Sequence, residues 1–305
     1  MSHMDGVRKN VLVVIYILMM AMTSMAFAES PPPLSVNTSG KVYVLAVGIN
    51  EYEYLPQLKA SVNNANLMGE LFNKSAAIGE VTVLINKEGS KNNILGVLQK
   101  YRSVMGSEDK LVLYYSGHGG QNTMYWQVNN STTTIGTYNW RDENIYDETI
   151  MPYDSTYDKK SQLTSTELTN LLKGFSTNKI TIIVDNAYSL SNMQQGFASF
   201  QSAKVVRRPR FSIRDLNMYG YNVLTASDWN ETALTGIFEG QVRGVFTHFL
   251  AQGIKSQAAD RKKDGLFTVN EIYEYARSNA VQYIGIQHPQ MNPGRNPNMI
   301  LWEKN

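Results

Sequence analysis

The feature that most limits how this chain can fold is a regular alternation of short, almost wholly apolar runs with longer amphipathic ones. The runs KVYVLAVGI (41–49), VTVLI (81–85), KLVLYY (110–115), KITIIVD (179–185) and YNVLTAS (221–227) are too short for helices and rich in β-branched and aromatic residues, which predicts buried strands. Between them, SVNNANLMGELFN places Val62, Ala65, Met68 and Phe72 at helical spacing. KNNILGVLQKYRSVM does the same with Ile94, Val97, Leu98 and Tyr101. STELTNLLKGF, with Ser165 or Thr166 as its cap, GVFTHFLAQGI and TVNEIYEYARSNA supply three further helices, and NMILW a closing strand. Strands apolar on both faces that alternate with helices predict an α/β fold, a mainly parallel sheet covered on both sides.

In such sheets reactive groups gather beyond the carboxyl ends of the strands. Two strands here end in chemically loaded segments, SGHGG (116–120) and VDNAYS (184–189). Gly117, Gly119 and Gly120 around His118 predict a turn that leaves the imidazole uncrowded and lets backbone N–H groups approach a substrate. The first strand, by contrast, runs into VGINEYEY and lacks a phosphate-cradling glycine pattern, which excludes a nucleotide-binding reading. A net charge of +2 likewise gives no electrostatic basis for binding nucleic acid. The absence of cysteine excludes disulfides, thiolate metal sites and a cysteine nucleophile in this chain.

At the amino end, Arg8 and Lys9 precede VLVVIYILMMAM, and a small-x-small AFA ends at Ala28. This predicts a signal peptide at 1–28 cleaved after Ala28, a secreted or periplasmic product and no membrane anchor thereafter. ESPPPLSVNTSG (29–40) reads as a Pro/Ser-rich linker, and residues 41–305 as one domain.

The order of VYVLAVGINEY, LKASVNNANLMGELF, LVLYYSGHGGQ, IIVDNAYS, VLTAS and GVFTHFLAQGI, with QHPQM near the carboxyl end, resembles the caspase-like cysteine peptidases. The closest likeness is to metacaspases and their bacterial relatives. The resemblance implies a three-layer sandwich around a six-stranded, mainly parallel sheet. It implies that His118 is the catalytic base and that Gly119 supplies an oxyanion-hole N–H. Asp185 and Ser116 would line a pocket for a basic side chain, and position 187 would hold the nucleophile. The expected partner is a peptide or protein.

Three positions depart from that pattern. Ala187 stands at the nucleophile position, and a methyl group neither attacks a carbonyl nor ionises. Leu190 replaces the glycine that follows the serine. Asn64 replaces a second pocket aspartate, giving up a charge that a basic side chain would meet. Ser189 and Ser191 lie off the position the imidazole addresses, and serine–histidine chemistry does not tolerate that shift.

Three readings follow: a natural pseudopeptidase, an active cysteine endopeptidase of basic preference represented by a Cys-to-Ala form, or a secreted peptide- or protein-binding scaffold. The additional departures at 64 and 190 favour loss of activity.

Two smaller motifs remain. DRKKDGLFTVNE places Asp260, Asp264, Gly265 and Glu271 at calcium-loop positions, but Lys262 occupies a ligand position. A glycine turn followed by a Thr268–Glu271 capping box is the better reading. The family resemblance admits calcium activation, but no cofactor is assigned. The basic stretch KVVRRPR (204–210) reads as a solvated loop. The family can be processed in that interval, which Ala187 would prevent here.

Overall fold

The computed structural model describes residues 40–123, 146–156, 158–187, 219–228, 231 and 233–305. The expected signal peptide and linker, and the basic stretch at 204–210, lie outside these residues. Among the described residues no helix is long and apolar enough to cross a membrane.

The strands β1 (Val42–Gly48), β2 (Ile78–Ile85), β3 (Lys110–Thr123), β6 (Ile180–Ala187), β7 (Asn222–Thr225) and β11 (Gln290–Asn292) line up as β11-β7-β6-β3-β1-β2. All neighbours in this path are parallel except β11, which runs antiparallel to β7 at one edge. The mainly parallel sheet expected from the sequence is present, and its main path has the six strands that the resemblance implies, within a sheet of eight. The antiparallel strands β4 (Tyr146–Ile150) and β5 (Leu163–Thr164) extend it beyond the far end of β3. Two further pairs stand apart, β8 (Thr235–Phe238) with β9 (Gln241–Gly244), and β10 (Leu266–Thr268) with β12 (Ile300–Glu303).

Strand alternation sends side chains to two separate cores. Val112, Tyr114, Ile183 and Leu224 meet α1 (Ser61–Phe72), α4 (Val245–Lys255) and α5 (Val269–Ile284) on one face. Leu111, Leu113, Tyr115, Ile182 and Val223 meet α2 (Lys91–Val104) and α3 (Ser165–Leu172) on the other. Fully buried Phe72 and Phe246 each contribute roughly 2–3 kcal/mol of apolar burial. Ala65, Met68 and Phe72 are buried on the predicted stripe of α1, and Ile94, Leu98 and Tyr101 on that of α2.

The caps explain where several helices begin. The Ser90 hydroxyl accepts from the Asn93 N–H at the start of α2. Neither Ser165 nor Thr166 caps α3: Thr164, still extended, accepts the Glu167 N–H at 3.1 Å. The predicted capping box opens α5, with Thr268 and Glu271 bonded reciprocally, and Gly285 (φ 69) ends that helix in the left-handed region.

Gly48, the last residue of β1, passes beneath the start of α1. A β-carbon there would lie 2.3 Å from the Ser61 carbonyl oxygen and 2.6 Å from the Ala65 Cβ. Gly48→Ala is therefore expected to cost about 2 kcal/mol, read as a lower denaturant midpoint at unchanged slope.

Candidate active site

The two loaded segments lie side by side at the centre of the sheet. In the β3–β6 register Ser116 is opposite Asp185, Gly117 opposite Asn186, and His118 opposite Ala187, the last residue of β6. The predicted glycine turn does not form. β3 continues through SGHGG to Thr123 and pairs antiparallel with β4, Gly119 opposite Ile150.

Glycine is needed here for close approach. A β-carbon on Gly117 would lie 2.4 Å from the hydroxyls of both Tyr52 and Tyr115. One on Gly119 would lie 2.0 Å from the Asn186 Nδ2.

His118 is buried and held at its backbone. Its N–H donates to the Tyr52 hydroxyl at 2.6 Å. Its carbonyl accepts from the Tyr115 hydroxyl at 2.7 Å and from the Met151 N–H at 3.0 Å. The two tyrosine hydroxyls are 3.1 Å apart, so together they bracket the histidine main chain. The ring itself leans on Tyr52, centroids 4.8 Å apart, and its Nε2 is 2.7 Å from the Pro56 carbonyl oxygen. A carbonyl only accepts, so Nε2 carries the proton and Nδ1 is left as the acceptor. Burial holds the imidazole pKa below its ordinary value, so the ring is neutral at pH 7. This is the state of a general base, on a residue in strand register with a position whose side chain has no proton to give.

Beside it Asp185 sits almost fully buried, with 5% of its surface exposed. The Thr247 hydroxyl, on α4, donates to its Oδ2 at 2.5 Å. That donation makes Thr247 the acceptor for the Tyr114 hydroxyl 2.6 Å away. Desolvation pushes the Asp185 carboxyl up to about 6, against the smaller lowering effect of Thr247. None of the described lysines or arginines forms an ion pair with it. Asn64, on α1, donates from Nδ2 to the Ser116 hydroxyl at 3.1 Å and accepts the Gly244 N–H at 2.9 Å. Gly244 has no room for a side chain, because a β-carbon would lie 2.2 Å from Asp185 Oδ2 and 3.0 Å from Asn64 Nδ2.

The structure thus brings His118, Gly119, Ser116, Asp185 and Asn64 together around the end of β6. Tyr188, Ser189 and Leu190 lie outside the described residues. Sequence reasoning missed Tyr52, Pro56, Tyr115, Thr247 and Gly244. Tyr52 and Pro56 come from the loop after β1, and no local pattern announces that this loop reaches back to a histidine 62 to 66 positions away.

The calcium-like loop turns its oxygens inward. Asp260 accepts the N–H groups of Asp264 (3.2 Å) and Gly265 (2.8 Å), and Asp264 accepts that of Leu266. Glu271 is taken up by its cap, accepting from the Thr268 N–H and hydroxyl. Among the described residues no group of three or more histidine or carboxylate side chains is arranged to hold a metal ion.

Comparison with known proteins agrees with this geometry. The metacaspase, peptidase C14 domain matches residues 44–195, which takes in β1 through β6 and both positions 118 and 187. A crystal structure of protein GSU0716 from Geobacter sulfurreducens is similar at a TM-score of 0.56 and 18% identity, over 87% of this chain and 100% of that one. At that identity the likeness is one of fold. No curated protein matches the chain. The parallel sheet, the His118–Ala187 register and the domain match over residues 44–195 together support a caspase-like peptidase fold, similar to the metacaspase C14 type.

Proposed function

We propose that this protein is a pseudopeptidase, which binds basic peptide segments through the Asp185 pocket and does not cut them. The observation that carries the reading is the alanine directly in register with His118, beside a buried carboxylate that has no ion-pair partner among the described residues. A buried carboxylate served only by neutral donors, here the hydroxyl and backbone N–H of Thr247, gains most from a guanidinium or ammonium partner. The signal-like leader at Arg8–Ala28 supports a secreted or periplasmic setting.

A second reading, an active endopeptidase of basic preference represented by a Cys-to-Ala form, is favoured by the intact support of His118. Its ring keeps the Pro56 contact and a free-standing role for Nδ1 as acceptor. A cysteine codon at 187 in the source genome would decide for this second reading.

Binding is tested by calorimetry with peptides containing arginine or lysine and with the same peptides carrying norleucine. The basic peptides are expected to bind about tenfold or more tightly than the norleucine ones, with no cleavage products by mass spectrometry. Equal affinity for both sets would remove the Asp185 pocket from the reading.

A further inference from the structure

We infer that the β8–β9 hairpin is a cover over the acidic pocket, fastened to α1 and displaced when a basic ligand enters. The inference rests on the basic-peptide reading of that pocket and adds how access to it is controlled.

The hairpin turns at Glu239 (φ 52) and Gly240 (φ 76) and returns along β9 to Gly244. That last residue lies against the Asp185 carboxylate with no space between them. Two consecutive asparagines of α1 hold β9 in place. Asn63 Nδ2 donates to the Val242 carbonyl at 2.9 Å, and Asn64 Oδ1 accepts the Gly244 N–H at 2.9 Å. At the other side, the Phe238 ring stacks on His248 with centroids 3.7 Å apart and planes 7° from parallel.

The result is a sealed polar cluster. Asn64, Ser116, Asp185 and Thr247 are each 5% exposed or less, so a lysine or arginine side chain has no open path to the carboxylate. Sealing leaves that carboxylate with the Thr247 hydroxyl and backbone N–H and no ion-pair partner among the described residues, an arrangement in which ligand binding and opening favour each other. The fastening to α1 is light, while Phe238 on the other strand stays packed on His248, Phe249 and Tyr283 as the side about which β9 would lift. Two side-chain hydrogen bonds to β9 main chain hold the hairpin to α1, and water replaces such bonds at small net cost. The asparagine at 64 fits this use, since its amide serves Ser116 and Gly244 at once.

The test exploits the absence of native cysteine. In the full chain, Asn63→Cys with Val242→Cys is bridged by a short reducible bifunctional thiol reagent, and binding of N-acetyl-arginine amide is measured before and after reduction. Bridging is expected to weaken binding at least about tenfold and reduction to restore it. Asn63→Ala, which leaves the carboxylate and its donors in place, is expected to bind the probe about fivefold more tightly, the factor one net hydrogen bond is worth. Hydrogen exchange at Val242–Val245 is expected to speed up when the probe is added. Equal affinity of bridged and reduced forms, with unchanged exchange, would overturn the cover while leaving the binding reading intact. No binding by the reduced form, by Asn63→Ala or by the unmodified chain would overturn both.

Discussion

Asp185→Asn is expected to make the protein more stable at neutral pH while removing its affinity for basic peptides. The carboxyl is pushed up to about 6 in the folded chain by desolvation, against an ordinary value near 4 when unfolded. Below about pH 4 the group is protonated in both states and has no effect on folding. Between about pH 4 and 6 the unfolded chain releases the proton while the folded chain keeps it, so stability falls as pH rises. Above that window the full penalty, about 3 kcal/mol, is in place. An amide keeps the shape and an acceptor for Thr247 without carrying charge. The variant should therefore match the parent near pH 3 and exceed its melting temperature by roughly 5–10 °C at pH 7. Thermal unfolding of both proteins from pH 3 to 8 reads this directly. Parallel stability curves would show that Asp185 is already compensated in the folded state.

Ala187→Cys is expected to yield a reactive thiol and a poor peptidase. A cysteine at 187 would enter in register with His118, whose neutral ring has Nδ1 left as acceptor. Alkylation by iodoacetamide should therefore proceed. Cleavage needs more than the thiol. Asn64 gives the pocket one charge fewer than the family pattern, and Leu190 removes a glycine beside the nucleophile. A missing charge-assisted contact alone is worth roughly 10- to 100-fold. On an arginine-containing fluorogenic peptide, the single variant should turn over at most about a tenth as fast as one carrying Ala187→Cys, Asn64→Asp and Leu190→Gly together. Equal rates would show that sulfur was all the site lacked.

Much of this arrangement was legible in the sequence because it rests on local rules. The five parallel strands and the buried stripes of α1 and α2 follow from period and composition, and the Thr268–Glu271 cap from spacing. The β3 segment was misread for a physical reason. Three glycines near one histidine predict a bend, but here Gly117 makes room for the Tyr52 and Tyr115 hydroxyls and Gly119 for the Asn186 amide, and Tyr52 and Asn186 arrive from distant parts of the chain. Pro56 is invisible in the same way, since it acts through a carbonyl that every residue has. The hairpin β8–β9 escaped notice because its four-residue strands, TGIF and QVRG, carry no clean alternation. Asn64 was readable as a lost charge. Its bonds to Ser116 and Gly244 were not, because both partners come together only in the folded chain.

The bracket around His118 draws on Tyr52, Tyr115, Met151 and Pro56, none of which belongs to β6. The histidine is therefore positioned by parts of the chain other than the strand that carries position 187. A substitution at 187 is thus expected to leave the bracket around His118 in place, while turnover depends on further positions such as 64 and 190.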